Sequence, residues 1–489
     1  MLLAALALAA AQPDVVVRTT TGAVAGEALP DGRRMFRGVP FATPPLGNLR
    51  WAPPRPPGPW QGVRDAVRSA PACPQVDYGW NHGAAANQSE DCLYLEVATP
   101  ALSPARKLPV MVWIHGGGNR GGSGAGTIWS DLSKHIVLVS IQYRLGALGF
   151  LSHPALTAQS PYHASGNYAL MDQQAALRWV QENIAGFGGD PGNVTIFGES
   201  AGAQDVGLQM LAPQARGLFH KAIEESGTAG FGIPPRTLRQ NEQLGEMLVT
   251  AAGAPAGADA ATLRRLPAAA LVKAAEQADV PDLGDDSFIW LAAVVDGHVL
   301  REPPEATLAH NGGAPVPLIV GSNVREFTAF GGTAAAKQTI RWAFGHQAAR
   351  AQAFYDSAPN PHAERGDIGL QLSTDFIFAC PAGIVAERHS RAGLPTWQYE
   401  FAYAGADGKP VAHGSEIHYV MQSPAALPPS APPLSSYWLN FARTGDPNGP
   451  GLLNWPGYAP GKTYLRFAND GTTTGKDLRG AICRLRDVP

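Results

Sequence analysis

Residues Asn193–Gly202 read NVTIFGESAG. A short β-branched and apolar run passes directly into Gly198-Glu199-Ser200-Ala201-Gly202, which holds a serine between two glycines. From Ala201 a helix-compatible stretch reaches Leu211 before Pro213. The pattern predicts a strand, a sharp turn and a helix. Glycines on both sides allow a turn that side chains would block. In that setting G-x-S-x-G projects Ser200 beyond the carboxyl edge of a sheet, where the helix N-terminus favours developing negative charge. Taken alone the match is weak, since the chain has 56 glycines in 489 residues. The competing reading is an ordinary Gly/Ser turn; the flanking strand and helix argue against it.

The rest of the chain extends the same pattern. LPVMVWIH (Leu108–His115) and HIVLVSIQY (His135–Tyr143) are continuous apolar runs, as expected of strands buried on both faces. Lys221–Gly227, Val316–Asn323 and Thr396–Tyr403 read as further strands. DQQAALRWVQENI (Asp172–Ile184) sets Leu177, Val180 and Ile184 on one helical face. Strands alternating with helices predict an α/β fold with a large, mostly parallel central sheet covered on both faces. The stretch to about Pro59 is strand- and proline-rich. Thr237–Ala278 is Ala/Leu-rich and helical, an inserted lid region.

A serine nucleophile needs donors for the oxyanion it generates. WIHGGGNRGG (Trp113–Gly122) follows an apolar strand, and Gly116, Gly117 and Gly118 leave their amides free to approach a substrate oxygen. With the Ala201 amide they make a candidate oxyanion hole. The alternative is a flexible glycine loop.

Composition narrows the function classes. Apolar residues make up 45% and charged residues 16%, the balance of a globular chain. The net charge is -3 and no basic run occurs, which argues against a nucleic-acid partner. Met1–Ala11 is apolar, small-residued and too short to cross a bilayer. It reads as the remnant of a signal peptide with Ala9–Ala11 at the cleavage site, although no Lys or Arg precedes it. The expectation is export, secreted or periplasmic, with residues 12–489 forming a single domain. No other segment reads as long and apolar enough to span a membrane. The cysteines are Cys73, Cys92, Cys380 and Cys483, an even number that favours two disulfides in an exported chain. Four unpaired core cysteines are the alternative, and four cysteines allow three connectivities. No CxxC spacing occurs, so no metal site is expected.

FRGVPFATPPLGNLRW, SEDCLYLEV (Ser89–Val97), HGGG, SGNYALMDQQAALRWVQENIAGFGGDPGNVTIFGESAG (Ser165–Gly202) and GSNVREF (Gly321–Phe327) occur in this order. The chain thereby resembles the type-B carboxylesterases, the cholinesterase-like branch of the α/β-hydrolases, from about Val15 onward. The resemblance implies an α/β-hydrolase fold, no cofactor, a small-molecule ester substrate and a Ser–Glu–His order of catalytic residues. It places the acid at Glu326 and the base at His413 in VAHGSEIHYV (Val411–Val420), with His418 as the fallback. Where the family usually has Gly after the acid this chain has Phe327, and Arg325 replaces the usual acidic residue before it. The resemblance also implies the pairs Cys73–Cys92 and Cys380–Cys483, and sets Ser226 behind the site, where a satisfied strand-end hydroxyl is the equal alternative.

Choline-selective relatives hold a quaternary ammonium on a tryptophan in the loop closed by the first disulfide. Trp80 lies in that loop here, but its spacing to Cys92 looks longer and GAAAN (Gly83–Asn87) offers no aromatic support. Asn119 stands after the glycine run where relatives usually carry an aromatic, so a less apolar acyl side is expected. Aromatic residues total 8%, which does not suggest a heavily aromatic gorge. The reading is a serine hydrolase of neutral, small to medium carboxylic esters. A non-catalytic scaffold on the same fold, or an enzyme preferring amides, carbamates or thioesters, are the competing readings. Oligomeric state is not legible.

Overall fold

The computed structural model describes residues 15–229, 235–278, 293–357, 362–405 and 408–486. The leader expected at 1–11 lies outside them. Among the described residues, thirteen strands form one sheet. They are β1 (Val15–Arg18), β2 (Ala23–Ala28), β3 (Arg34–Pro40), β4 (Val63–Asp65), β5 (Tyr94–Thr99), β6 (Leu108–Ile114) and β7 (Val137–Ile141), then β8 (Gly189–Glu199), β9 (Lys221–Glu225), β10 (Leu318–Asn323), β11 (Thr396–Ala402), β12 (Thr463–Ala468) and β13 (Gly471–Lys476). The order across the sheet is β1-β2-β3-β5-β7-β6-β8-β9-β10-β11-β12-β13, with β4 against β2. From β7 to β12 neighbouring strands are parallel. The flanks β1-β2-β3-β5-β7 and β12-β13 pair antiparallel, while β4 runs parallel to β2.

The continuous apolar runs are explained by parity. In β6, Val110, Val112 and Ile114 join the core on one face, while Met111 and Trp113 join the core on the other. Period-two alternation sends successive side chains to opposite faces, so a strand covered on both sides is apolar throughout. The first face is packed by the helices Tyr168–Asn183 and Ala201–Leu211, through Leu177, Val180, Val206 and Leu208, with Ile184 just beyond the first helix. The second is packed by Leu434–Thr444, through Leu434, Tyr437, Trp438 and Phe441.

The inserted region folds as expected, into the helices Leu238–Ala251, Ala260–Leu263 and Ala268–Gln277. Thr237 and Gln240 form a capping box at its start, and Leu244, Leu248, Leu263 and Leu271 build their own core with Trp51, Leu148 and Leu151. One sequence expectation is corrected. The helix Ile368–Arg391 is long and apolar enough to cross a membrane, but 83% of its apolar window is buried within the protein, so its hydropathy is that of a core helix. Both cystine bridges are present, Cys73–Cys92 and Cys380–Cys483.

Candidate active site

The sheet order places the site. From β6 the chain crosses to β7 on one side, and from β8 to β9 on the other, although β6 and β8 are neighbours. The loops leaving their carboxyl ends therefore diverge and open a crevice, the usual ligand position in open α/β sheets. The β6 loop carries Gly116–Gly118, and the β8 turn carries Ser200.

Ser200 has φ 59° and ψ −126°, a conformation costing of order 1–3 kcal/mol for a non-glycine residue. Close packing enforces it. A Cβ on Gly198 would sit 2.5 Å from the Ile114 carbonyl oxygen, and one on Gly202 would sit 2.1 Å from the same atom. The Ser200 amide donates to the Glu225 carbonyl at 2.9 Å, and the Ser200 carbonyl accepts from the Gln204 amide at 2.9 Å. Beside the turn, Gly117 and Gly118 have φ of 105° and 63°. A Cβ on Gly116 would lie 3.0 Å from that of Ser200, so the glycine loop rests directly against the elbow.

Glu326 follows β10, and His413 lies on the loop after β11. His413 Nδ1 is 2.7 Å from Glu326 Oε2. The Glu326 carboxylate is buried; its Oε1 accepts from the Asn323 amide at 2.7 Å, and its own amide donates to Thr374 Oγ1 at 3.1 Å. Thr374 belongs to a π-helical turn, Thr374–Ala379, within the long core helix. Phe327, the departure from the family pattern, packs edge-on to the imidazole with ring centroids 4.9 Å apart, and Phe378 approaches it at 5.0 Å. Ser200, His413 and Phe327 line one cavity, whereas His418 is exposed beside Tyr419 and is not among its lining residues.

Groups that sequence reading passed over complete the electrostatics. Glu199 Oε1 lies 3.1 Å from His413 Nε2. Burial pushes the Glu199 acid up, to about 8, with Glu416 and Glu326 adding to it against the His413 cation. Burial would lower the His413 base, but Glu199 and Glu326 outweigh it and raise it to about 9. Behind them Ser226 Oγ donates to Glu416 Oε1 at 2.9 Å, and Asn323 Nδ2 to Glu416 Oε2 at 2.7 Å. Ser226 is thus part of a buried polar layer reaching Glu326. The signals were local: Glu199 is the x of G-x-S, and Glu416 lies three residues beyond His413.

The cavity is about 1050 Å³, at the upper end for small-molecule sites. Its wall corrects three sequence expectations. Asn119 does not face it; its side chain is buried and donates to Asp205 at 3.0 Å. Trp80 does have aromatic support, from Tyr78, stacked at 6.0 Å and 8° between planes. The 8% aromatic content concealed local clustering, because Tyr78, Trp80, Trp113 and Phe327 all line the cavity.

Residues 13–485 match the sequence model of the carboxylesterase family. The chain is 36% identical to the fumonisin B1 esterase of Sphingopyxis macrogoltabida, covering 94% of this chain and 87% of that protein. It is also 36% identical to the liver carboxylesterase of Sus scrofa, covering 98% and 94%. A crystal structure of a carboxylesterase from Geobacillus stearothermophilus superposes with a TM-score of 0.81 at 31% identity, covering 96% of this chain and all of that one.

Proposed function

We propose the roles of individual residues from one premise: the chain belongs to the carboxylesterase family and is a carboxylic ester hydrolase. Ser200 is the nucleophile. Its Oγ adds to the ester carbonyl carbon as neutral His413 takes the proton on Nε2. The amides of Gly117, Gly118 and Ala201 hold the oxyanion. Collapse expels the alcohol, which takes the proton back from His413, and leaves an acyl group on Ser200. Water repeats the sequence and frees the acid. Glu326 fixes the imidazole tautomer through Nδ1 and stabilises the imidazolium. The observation that carries this reading is the 2.7 Å His413–Glu326 pair in the wall of the cavity that holds the strained Ser200.

The substrates are neutral esters of small to medium size. The mixed aromatic and glycine wall supports this, as does the one Lys/Arg side chain among its described lining residues, Arg120, which pairs with Glu276 at 3.3 Å. The two disulfides suit an oxidising compartment, and we place the protein outside the cytoplasm, secreted or periplasmic. Hydrolysis rates across esters of graded acyl length and leaving group, with matched anilides, test the substrate reading. Neutral alkyl esters turning over fastest is the expected result. Preference for anilides or for charged esters contradicts it.

A further inference from the structure

We propose that Asn119 and Asp205 are positioning residues that lock the oxyanion loop to the helix that Ser200 caps. The inference rests on the reading of Gly117, Gly118 and Ala201 as the oxyanion hole. Such a hole works only if its two halves keep their spacing, because donors must meet the position the oxyanion will occupy. One half is the β6 loop. The other is the amide at the start of Ala201–Leu211, and Asp205 lies on that same helix.

Asn119 directly follows Gly118, has φ 56° and is 1% exposed. Its Nδ2 donates to Asp205 Oδ1 at 3.0 Å, and its carbonyl accepts from the Gly146 amide at 2.7 Å. At the other end of the glycine run, the Tyr143 hydroxyl donates to the His115 carbonyl at 2.5 Å and also lies 3.2 Å from Asn119 Oδ1. Gly116–Gly118 are therefore tied down immediately before and immediately after. Asp205 is fully buried; its Oδ2 accepts from Gln173 Nε2 at 2.6 Å, and Gln209 Nε2 in turn donates to Gln173 Oε1 at 2.9 Å. Among the described residues no ion pair balances this carboxyl, and burial raises its acid to about 7, opposed by the Asn119 and Gln173 amides. Burying an acid on neutral amide donors alone is costly. A core that needed only to be filled would be better served by apolar side chains at both positions.

The test uses purified full-length enzyme, a neutral alkyl ester and an alkyl trifluoromethyl ketone. Ser200 Oγ adds to the ketone carbon, the proton passes to His413, and the carbonyl π pair becomes an oxyanion in the hole. Asn119→Ala and Asp205→Ala are expected to lower kcat roughly 10- to 100-fold, with KM within about threefold and the ketone Ki rising in step with the loss in kcat. The double variant is expected to lose no more than the worse single one, as for residues acting as a unit. Asp205→Asn keeps an acceptor for Asn119 and should recover most of kcat. Gln174→Ala, at the far end of the amide chain where Nε2 donates to Gln209 Oε1 at 3.1 Å, should lower Tm and leave kcat unchanged. If Asn119→Ala lowers Tm but leaves kcat and Ki within about twofold while Gly118→Ala loses both, the positioning role is overturned and the oxyanion hole stands. If Gly118→Ala also leaves both unchanged, the oxyanion assignment itself has failed. Should Asp205→Ala not fold, Asn119→Ala and Asp205→Asn carry the same comparison.

Discussion

Glu199 Oε1 sits 3.1 Å from His413 Nε2, on the side of the imidazole opposite Glu326. With the Nδ1 proton facing Glu326, a bare Nε2 and a bare carboxylate would present lone pairs to each other. One proton therefore belongs between them, and burial raises Glu199 as its neighbours raise His413. The proposed role of His413 as general base requires it neutral. The rise of kcat/KM with pH should then be centred above 6.5, displaced toward 9. Glu199→Gln should bring that midpoint down by about one unit. A wild-type midpoint at or below 6.5, or one unmoved in Glu199→Gln, contradicts the pairing.

The same shift links to stability. His413 is raised on folding, so its contribution is present in full below pH 6.5 and is lost as pH rises through about 9. The difference in unfolding free energy between wild type and His413→Ala should shrink across that window. Denaturant titrations at pH 6 and pH 9.5 measure it, and a difference that grows with pH reverses the sign.

Phe327 and Phe378 pack against the imidazole and against each other. An edge-on aromatic contact contributes about 0.5–1.5 kcal/mol. Phe327→Gly should lower kcat about 2- to 10-fold while sparing the pH midpoint. An unchanged kcat would leave Phe327 as cavity wall only.

Trp80 is exposed to the cavity with Tyr78 stacked behind it, which suits a flat or cationic leaving group. The Arg120 guanidinium, however, lies 4.7 Å over the Tyr78 ring, and a second cation there is disfavoured. Butyrylthiocholine should not exceed an alkyl butyrate in kcat/KM by more than about tenfold, or 1.4 kcal/mol. A larger preference would make Trp80 a choline site.

The bridge Cys380–Cys483 closes a loop with a sequence separation of 103. Constraining so long a loop in the unfolded chain stabilises by about 4–5 kcal/mol on chain-entropy grounds. Cys380→Ala with Cys483→Ala should lower Tm by several degrees and leave KM unchanged. Equal Tm values for the two proteins would show that the bridge contributes nothing.

What the sequence revealed follows from where the chemistry resides. The elbow, the glycine loop and the parallel strands were legible because each is a local pattern whose period or glycine spacing has one steric reason. Glu326 and His413 were reached through the family resemblance. The Glu199–His413 contact was not legible, since it joins residues 214 positions apart across β8 and the loop after β11. Asn119 was misread because its left-handed backbone turns its amide into the core. β12 and β13 were missed: β13 is mostly exposed and polar, reading GTTTGK, and carries no hydrophobic period.

The central claim is that Ser200 attacks the ester carbonyl. Treating the protein with a fluorophosphonate and mapping the adduct by peptide mass tests it most directly. The account predicts a single modification on Ser200, slowed in His413→Ala, with Ser200→Ala unlabelled and its esterase rate reduced roughly 10⁴- to 10⁶-fold. Labelling on another residue, or a Ser200→Ala variant that hydrolyses esters at the wild-type rate, would contradict it.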